Sequence, residues 1–109
     1  MELEKIFLNK RITGIYHNYI DRSLCIYLDD KSNITFCNCA LIFDLGIIGH
    51  TITYVSCYGT LGIAHELKRM KEDSDDYNCL LLSRDIKDIT NKNEILISYK
   101  EIKVEQVSK

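Results

Sequence analysis

The stretch SLCIYLDDKSNITF, residues 23–36, is the feature that most constrains what this chain can fold into. Apolar residues alternate with other side chains at Leu24, Ile26 and Leu28, and the alternation resumes at Ile34. A period of two places successive side chains on opposite faces of a β-strand. The intervening DDKSN consists of polar residues that favour turns. The stretch therefore predicts a β-hairpin, and with it an antiparallel sheet.

Further extended segments lie on both sides of this hairpin. Runs that alternate in polarity, or that are rich in β-branched and aromatic residues, predict about six strands in all. The third strand is apolar on both faces, which is typical of a strand in the centre of a sheet. The last strand is long, and we expect a bulge near Lys100 and Glu101. The predicted strands are residues 11–19, 23–28, 34–43, 51–58, 79–82 and 94–107.

One segment, TLGIAHELKRMKED, has a helical period instead. Ile63, Leu67 and Met70 recur at i, i+4 and i+7, and Thr60 can cap the first turn. The segment predicts one clear helix near residues 60–72. Strands gathered around a single helix indicate an α+β domain built mostly on an antiparallel sheet.

The length and composition favour one compact domain over residues 1–109. The chain has 46% apolar and 28% charged residues, which is ordinary for a globular protein. Fourteen basic residues against sixteen acidic ones give a net charge of −2, so a general nucleic-acid partner is not expected. No apolar run, such as Cys39 to Phe43, exceeds five residues, so we expect no contact with a membrane.

Five cysteines and the first ten residues indicate the compartment. The start, MELEKIFLNK, lacks the apolar run of a secretory signal. An odd number of cysteines without such a signal argues against a disulfide framework. We therefore expect a cytoplasmic protein.

Cys37 and Cys39 are the strongest candidates for chemistry. At positions i and i+2 of one strand their side chains are expected on the same face. A zinc site needs a matching second pair of ligands, and the sequence offers none, so packing is the favoured interpretation and a metal site the alternative. We found no local pattern typical of a catalytic nucleophile or a phosphate-binding loop. We therefore predict neither an enzyme nor a cofactor.

Acidic clusters and tyrosines are the candidate contact residues for a partner protein. An acidic patch can accelerate the encounter with a basic partner, and exposed tyrosine is common in protein interfaces. The alternative is that the acidic residues only form solvated loop tips. The predicted contact residues are Tyr16, Asp29, Asp30, Glu72, Asp73, Asp75, Asp76 and Tyr77.

The whole chain resembles the immunity proteins of bacterial toxin systems, including those paired with contact-dependent inhibition toxins. The resemblance lies in size, acidity, expected compartment and the hairpin-rich RITGIYHNYIDRSLCIYLDDKSNITFCNCALIFDLGIIGHTI. It implies a small cytoplasmic protein, monomer or homodimer, that blocks the active site or substrate surface of a cognate protein toxin such as a basic nuclease. It assigns no site residue.

Two other classes of function stay open from the sequence. One is a small enzyme or ligand-binding domain that uses the cysteine-rich strand and a histidine. The other is a structural or regulatory subunit, which could form a homodimer through an edge strand such as the C-terminal one.

Overall fold

A computed structural model describes residues 3–57, 77–84 and 93–106 of the chain. Within them lie one short helix, α1 (Leu3–Phe7), and eight β-strands. The strands are β1 (Ile12–Asn18), β2 (Ser23–Leu28), β3 (Ser32–Cys37), β4 (Leu41–Asp44), β5 (Tyr54–Ser56), β6 (Asn78–Ser83), β7 (Glu94–Tyr99) and β8 (Glu101–Gln106). The fold is α+β and mostly antiparallel sheet, as the sequence predicts.

The strands form two four-stranded antiparallel sheets. Sheet 1 has the order β1-β2-β3-β8, and sheet 2 has the order β4-β7-β6-β5. The predicted hairpin is confirmed as the β2–β3 pair, in which Ile26 lies opposite Ile34. Its three-residue turn ends at Lys31, which has a left-handed φ of 69°.

Two strands pass from one sheet to the other at the same bend. β3 leads into β4 through residues 38–40, and β7 leads into β8 through Lys100. Backbone pairing continues across the bend, because the N–H of Ala40 donates to the Ser98 carbonyl at 2.9 Å and that of Lys100 to the Cys37 carbonyl at 3.1 Å. The register shifts by one residue there, so the bend is a β-bulge.

Two of the predicted strands are each divided in two at the bend. The strand predicted over residues 34–43 is wrong as a single element, because Asn38 takes a left-handed φ of 55° and directs the chain into sheet 2. The final strand is likewise divided at Lys100, where a bulge was expected. Its buried side changes there, since Tyr99 is buried and Glu101 is exposed.

On the opposite side the two sheets are joined by a short backbone pairing. The N–H of Asn9 donates to the Ile52 carbonyl at 2.8 Å, and the N–H of Ile52 donates to the Lys10 carbonyl at 2.8 Å. These bonds connect the segment just before β1 with the segment just before β5. The strand predicted over residues 51–58 is therefore shorter in sheet 2, where only Tyr54–Ser56 pairs with β6.

One hydrophobic core fills the space between the sheets. Both sheets and α1 contribute to it, and Phe7 of α1 stacks on Phe36 of β3 with ring centroids 6.2 Å apart. α1 is not among the predicted elements, since a helix of five residues is too short to show a helical period. The buried apolar residues are Leu3, Phe7, Ile12, Leu24, Ile26, Leu28, Ile34, Phe36, Cys39, Ile47, Ile52, Leu80, Leu82, Ile95, Ile97 and Tyr99.

The helix predicted near residues 60–72 lies outside the described residues. In the part of the chain that the structure describes, no helix is both long and apolar enough to cross a membrane.

Candidate functional site

The predicted contact residues lie on separate elements. Tyr16 lies on β1, Asp29 and Asp30 form part of the β2–β3 turn, and Tyr77 directly precedes β6. The ammonium of Lys100 lies 5.1 Å from the centre of the Tyr77 ring, at cation–π distance. The remaining predicted contact residues lie outside the described part of the chain; they are Glu72, Asp73, Asp75 and Asp76.

The carboxylates of Asp29 and Asp30 are both hydrogen-bonded, that of Asp29 to the chain next to β1 and that of Asp30 within the β2–β3 turn. The Asp29 carboxylate accepts from the backbone N–H of Arg11 at 3.2 Å. The Asp30 carboxylate accepts from the backbone N–H of Ser32 at 3.0 Å and from its hydroxyl, and lies 3.2 Å from the Lys10 ammonium. The hydrogen bond from Ser32 lowers the pKa of the Asp30 carboxyl. Both carboxylates therefore already have partners within the fold.

Tyr16 belongs to an exposed group on the solvent side of sheet 1. It lies opposite Cys25 in the β1–β2 register, and the ring of Tyr27 lies over Gly14 on the same side. The side chain of Tyr16 is 60% exposed and that of Tyr27 is 44% exposed. A hydrogen bond with the Cys25 thiol raises the pKa of Tyr27, and the nearby Glu105 carboxylate raises it further. The Tyr27 phenol is therefore neutral at neutral pH.

The two tyrosines continue into a broader surface that we call the tyrosine face. Its rows follow the strand register: Cys25 lies opposite Thr35, which lies opposite Lys103, and Tyr27 lies opposite Asn33, which lies opposite Glu105. Its three charged side chains are two glutamates and one lysine, and all three are exposed. The tyrosine face comprises Gly14, Tyr16, Cys25, Tyr27, Asn33, Thr35, Cys37, Glu101, Lys103 and Glu105.

A small cavity opens at the β1–β2 turn, between the ends of the two sheets. Its volume is about 210 Å³, below the range of about 300–1,000 Å³ that is usual for drug-sized ligands. The imidazole of His17 and the ring of Tyr19 form one wall, with centroids 4.0 Å apart. We call this cavity the turn pocket. It is lined by His17, Tyr19, Arg22, Cys39, Ala40 and Ile42.

The two cysteines next to the bend do not share a face, which corrects the sequence prediction. Cys37 is half-buried on the solvent side of sheet 1, opposite Glu101. Cys39 is buried, because the left-handed Asn38 reverses the alternation, and its thiol donates to the Phe36 carbonyl at 3.4 Å. Burial raises the pKa of the Cys39 thiol to about 11. Cys39 is thus a neutral packing residue at physiological pH.

The described residues contain no group of three or more histidine, cysteine, aspartate or glutamate side chains that could hold a metal ion. Comparisons with protein-family models, with curated proteins and with solved structures found no match to this chain. Its candidate site is therefore assigned from its own geometry.

The structure exposes three further apolar side chains that are not among the predicted contact residues. Tyr27 shares the tyrosine face, and its signal was its place on the polar-facing side of an alternating strand. Tyr19 and Ile20 stand in the β1–β2 turn, where a pair of apolar residues is unusual in a position that favours polar ones. All three belong to the first hairpin of sheet 1.

Proposed function

We propose that this chain is a cytoplasmic immunity protein that binds a cognate protein toxin and blocks its active site or substrate surface. The observation that carries the proposal is the tyrosine face, with Tyr16 and Tyr27 exposed side by side on a hydrogen-bonded sheet. Tyrosine is enriched among the residues that dominate binding energy at protein interfaces.

The sheet beneath the tyrosine face supports this proposal. Strands β2 and β3 each have a bonded neighbour on both sides, so their backbone is fixed before any partner arrives. A surface that is already ordered loses less conformational entropy on binding. Tyrosine side chains add a large contact area with few rotatable bonds. A partner can therefore gain affinity without refolding this chain.

The charge of the chain favours a basic toxin, such as a nuclease. The net charge is −2, and Glu101 and Glu105 outnumber Lys103 on the tyrosine face. Opposite charges on two surfaces accelerate their encounter, and the effect falls as salt screens them. A nuclease surface that binds phosphates is basic for the same electrostatic reason.

A growth-rescue assay tests the proposal. The C-terminal region of the product of the open reading frame immediately upstream is expressed with and without this chain. Growth that stops with that product alone and recovers with both supports the immunity function. If the upstream product is harmless, or stops growth in both cultures, the proposal fails for this pair.

Substitutions test whether the tyrosine face makes the contact. The double variant Tyr16→Ser and Tyr27→Ser is expected to lose rescue, because it removes both exposed rings without touching the core. Tyr54→Ser is the matched control, since Tyr54 is 38% exposed but lies on β5 of sheet 2. Equal rescue by the double variant and the control would place the interface elsewhere.

A further inference from the structure

The β1–β2 turn presents two adjacent apolar side chains to solvent. It spans the four residues between Asn18 and Ser23. Within it Ile20 is 97% exposed and Tyr19 is 81% exposed. Single exposed apolar residues are common on protein surfaces, but two adjacent ones at a projecting turn form a convex knob. A convex apolar knob fits a concave apolar pocket on a partner.

Hydrogen bonds from two side chains fix the shape of this turn. The carboxamide oxygen of Asn18 accepts from the N–H of Ile20 at 3.0 Å. The carboxylate of Asp21 accepts from the N–H of Ser23 at 3.1 Å and from its hydroxyl at 2.6 Å. The turn is therefore held in one conformation before binding, which lowers the entropic cost of inserting it into a partner.

Arg22 ties the turn to the bend between the sheets. Its carbonyl accepts from the N–H of Cys39 at 2.8 Å, and its Nε donates to the Cys39 carbonyl at 3.2 Å. Arg22 has a left-handed φ of 58°, which a non-glycine residue keeps only where its surroundings require it. The turn that bears Tyr19 and Ile20 is thus hydrogen-bonded to the bend between the two sheets.

The charged residues of the turn, Asp21 and Arg22, indicate which charge the partner carries next to its pocket. Arg22 is exposed and lines the turn pocket next to the His17–Tyr19 stack. The only carboxylate in the turn, that of Asp21, is already bonded to Ser23. Arginine pairs with carboxylates through several donors of its planar group. The neighbourhood of the knob therefore complements a negative group.

We infer that the β1–β2 turn is an anchor: Tyr19 and Ile20 insert into an apolar pocket of a partner protein, and Arg22 pairs with a carboxylate at the rim of that pocket. The inference rests on the proposed function, because it names the part of this chain that enters the toxin. A protein fits this turn better than a lipid surface, since two apolar side chains and one cation give only weak membrane binding.

Binding measurements on the full chain test the anchor. The probe is the purified C-terminal region of the upstream product, titrated with this chain in a calorimeter. Ile20→Ser is expected to weaken binding by at least about tenfold, since a central apolar anchor carries much of the binding energy. Ile48→Ser is the matched control, because Ile48 is exposed in a different turn and its loss should change the affinity less than about twofold. Thermal unfolding of both variants verifies that they fold.

Arg22→Gln tests the charge separately. The inference predicts that this variant binds more weakly and loses part of the salt dependence, because a cation–carboxylate pair is screened by ions. Unchanged affinity of Ile20→Ser, with binding by the unaltered chain, would overturn the anchor and leave the immunity function standing. No binding by the unaltered chain would overturn both. Sedimentation of the unaltered chain, but not of Ile20→Ser, with phosphatidylcholine–phosphatidylserine vesicles would overturn the choice of a protein partner.

Discussion

The rings of Phe36 and Tyr99 meet edge to face, with centroids 4.9 Å apart and planes inclined by 67°. Phe36 lies near the end of β3 and Tyr99 ends β7, so the contact sits where both bent strands pass between the sheets. Phe36 also stacks on Phe7 of α1. Because all three rings are buried, this cluster joins the helix and both sheets at one point.

Truncation of Phe36 tests how much this aromatic cluster contributes to the stability of the fold. Phe36→Ala is expected to lower the free energy of unfolding by about 3–5 kcal/mol, the usual cost of removing a buried aromatic ring. Tyr99→Phe keeps the edge-to-face contact and should change the free energy of unfolding by less than about 1 kcal/mol. Urea unfolding followed by circular dichroism measures both. A loss for Phe36→Ala no larger than that for Tyr99→Phe would contradict the assigned role.

The β2–β3 hairpin could be predicted because every local signal agrees there. Alternation fixes the buried side of each strand, and the polar turn fixes where the chain reverses. Leu24, Ile26 and Leu28 are all buried, as their period of two requires. Local periodicity is therefore enough where a strand and its partner are adjacent in sequence.

The bend could not be predicted in the same way, because it depends on partners far away in the sequence. Residues 34–43 are apolar on both faces, a pattern that predicts one central strand. The first part is indeed interior to sheet 1, but the same pattern also results when a strand leaves one sheet for another. The register shift between β3–β8 and β4–β7 is set by pairing across more than fifty residues.

The contact residues illustrate the same limit. Tyr16 could be selected from sequence, since alternation places it on a defined side of β1. The bonds of Asp29 and Asp30 to Arg11 and Ser32 could not, since they depend on which backbone groups face each carboxylate in the folded turn. Sequence shows which side chains carry charge, and the fold decides which of them are already bonded.

Lys31 offers a way to stabilise the β2–β3 turn. Its φ of 69° lies in the left-handed region, which costs a residue with a Cβ more than glycine. Lys31→Gly is therefore expected to raise the free energy of unfolding by about 0.5 kcal/mol. Asn33→Gly, two residues further along inside β3, should lower it by about 0.5–1 kcal/mol. Urea unfolding measures both variants. A lower urea midpoint for Lys31→Gly as well as for Asn33→Gly would show that the left-handed φ of Lys31 does not destabilise the turn.

Asp30 should make stability depend on pH in the acid range. Its pKa is lowered from the ordinary value of 3.8, first by the hydrogen bond from Ser32 and also by Lys10. A carboxyl whose pKa is lower in the folded chain stabilises the fold above its unfolded-state pKa, and this contribution is lost as pH falls through the folded-state pKa. Asp30→Asn is thus expected to destabilise the chain at neutral pH and to equal it in strong acid.

Urea unfolding at about pH 7 and about pH 2 measures this dependence on pH. Ser32→Ala is the companion variant, because it removes the largest cause of the lowered pKa while keeping the carboxylate. It should reduce the difference in stability between the two pH values, as Asp30→Asn does. An equal deficit of Asp30→Asn at both pH values would mean that the charge of Asp30 contributes nothing to the fold.

Cys39 and Cys57 should react with thiol reagents at very different rates. Thiolates are the reactive form, and Cys39 is both buried and raised in pKa to about 11 by that burial. Cys57 is exposed, so iodoacetamide at about pH 8 is expected to modify it while Cys39 stays unmodified in the folded chain. Peptide mass spectrometry after brief labelling measures both, and labelling in urea is the control that should make the two sites alike. Modification of Cys39 at the rate of Cys57 without urea would contradict the burial of the Cys39 thiol and its hydrogen bond to the Phe36 carbonyl.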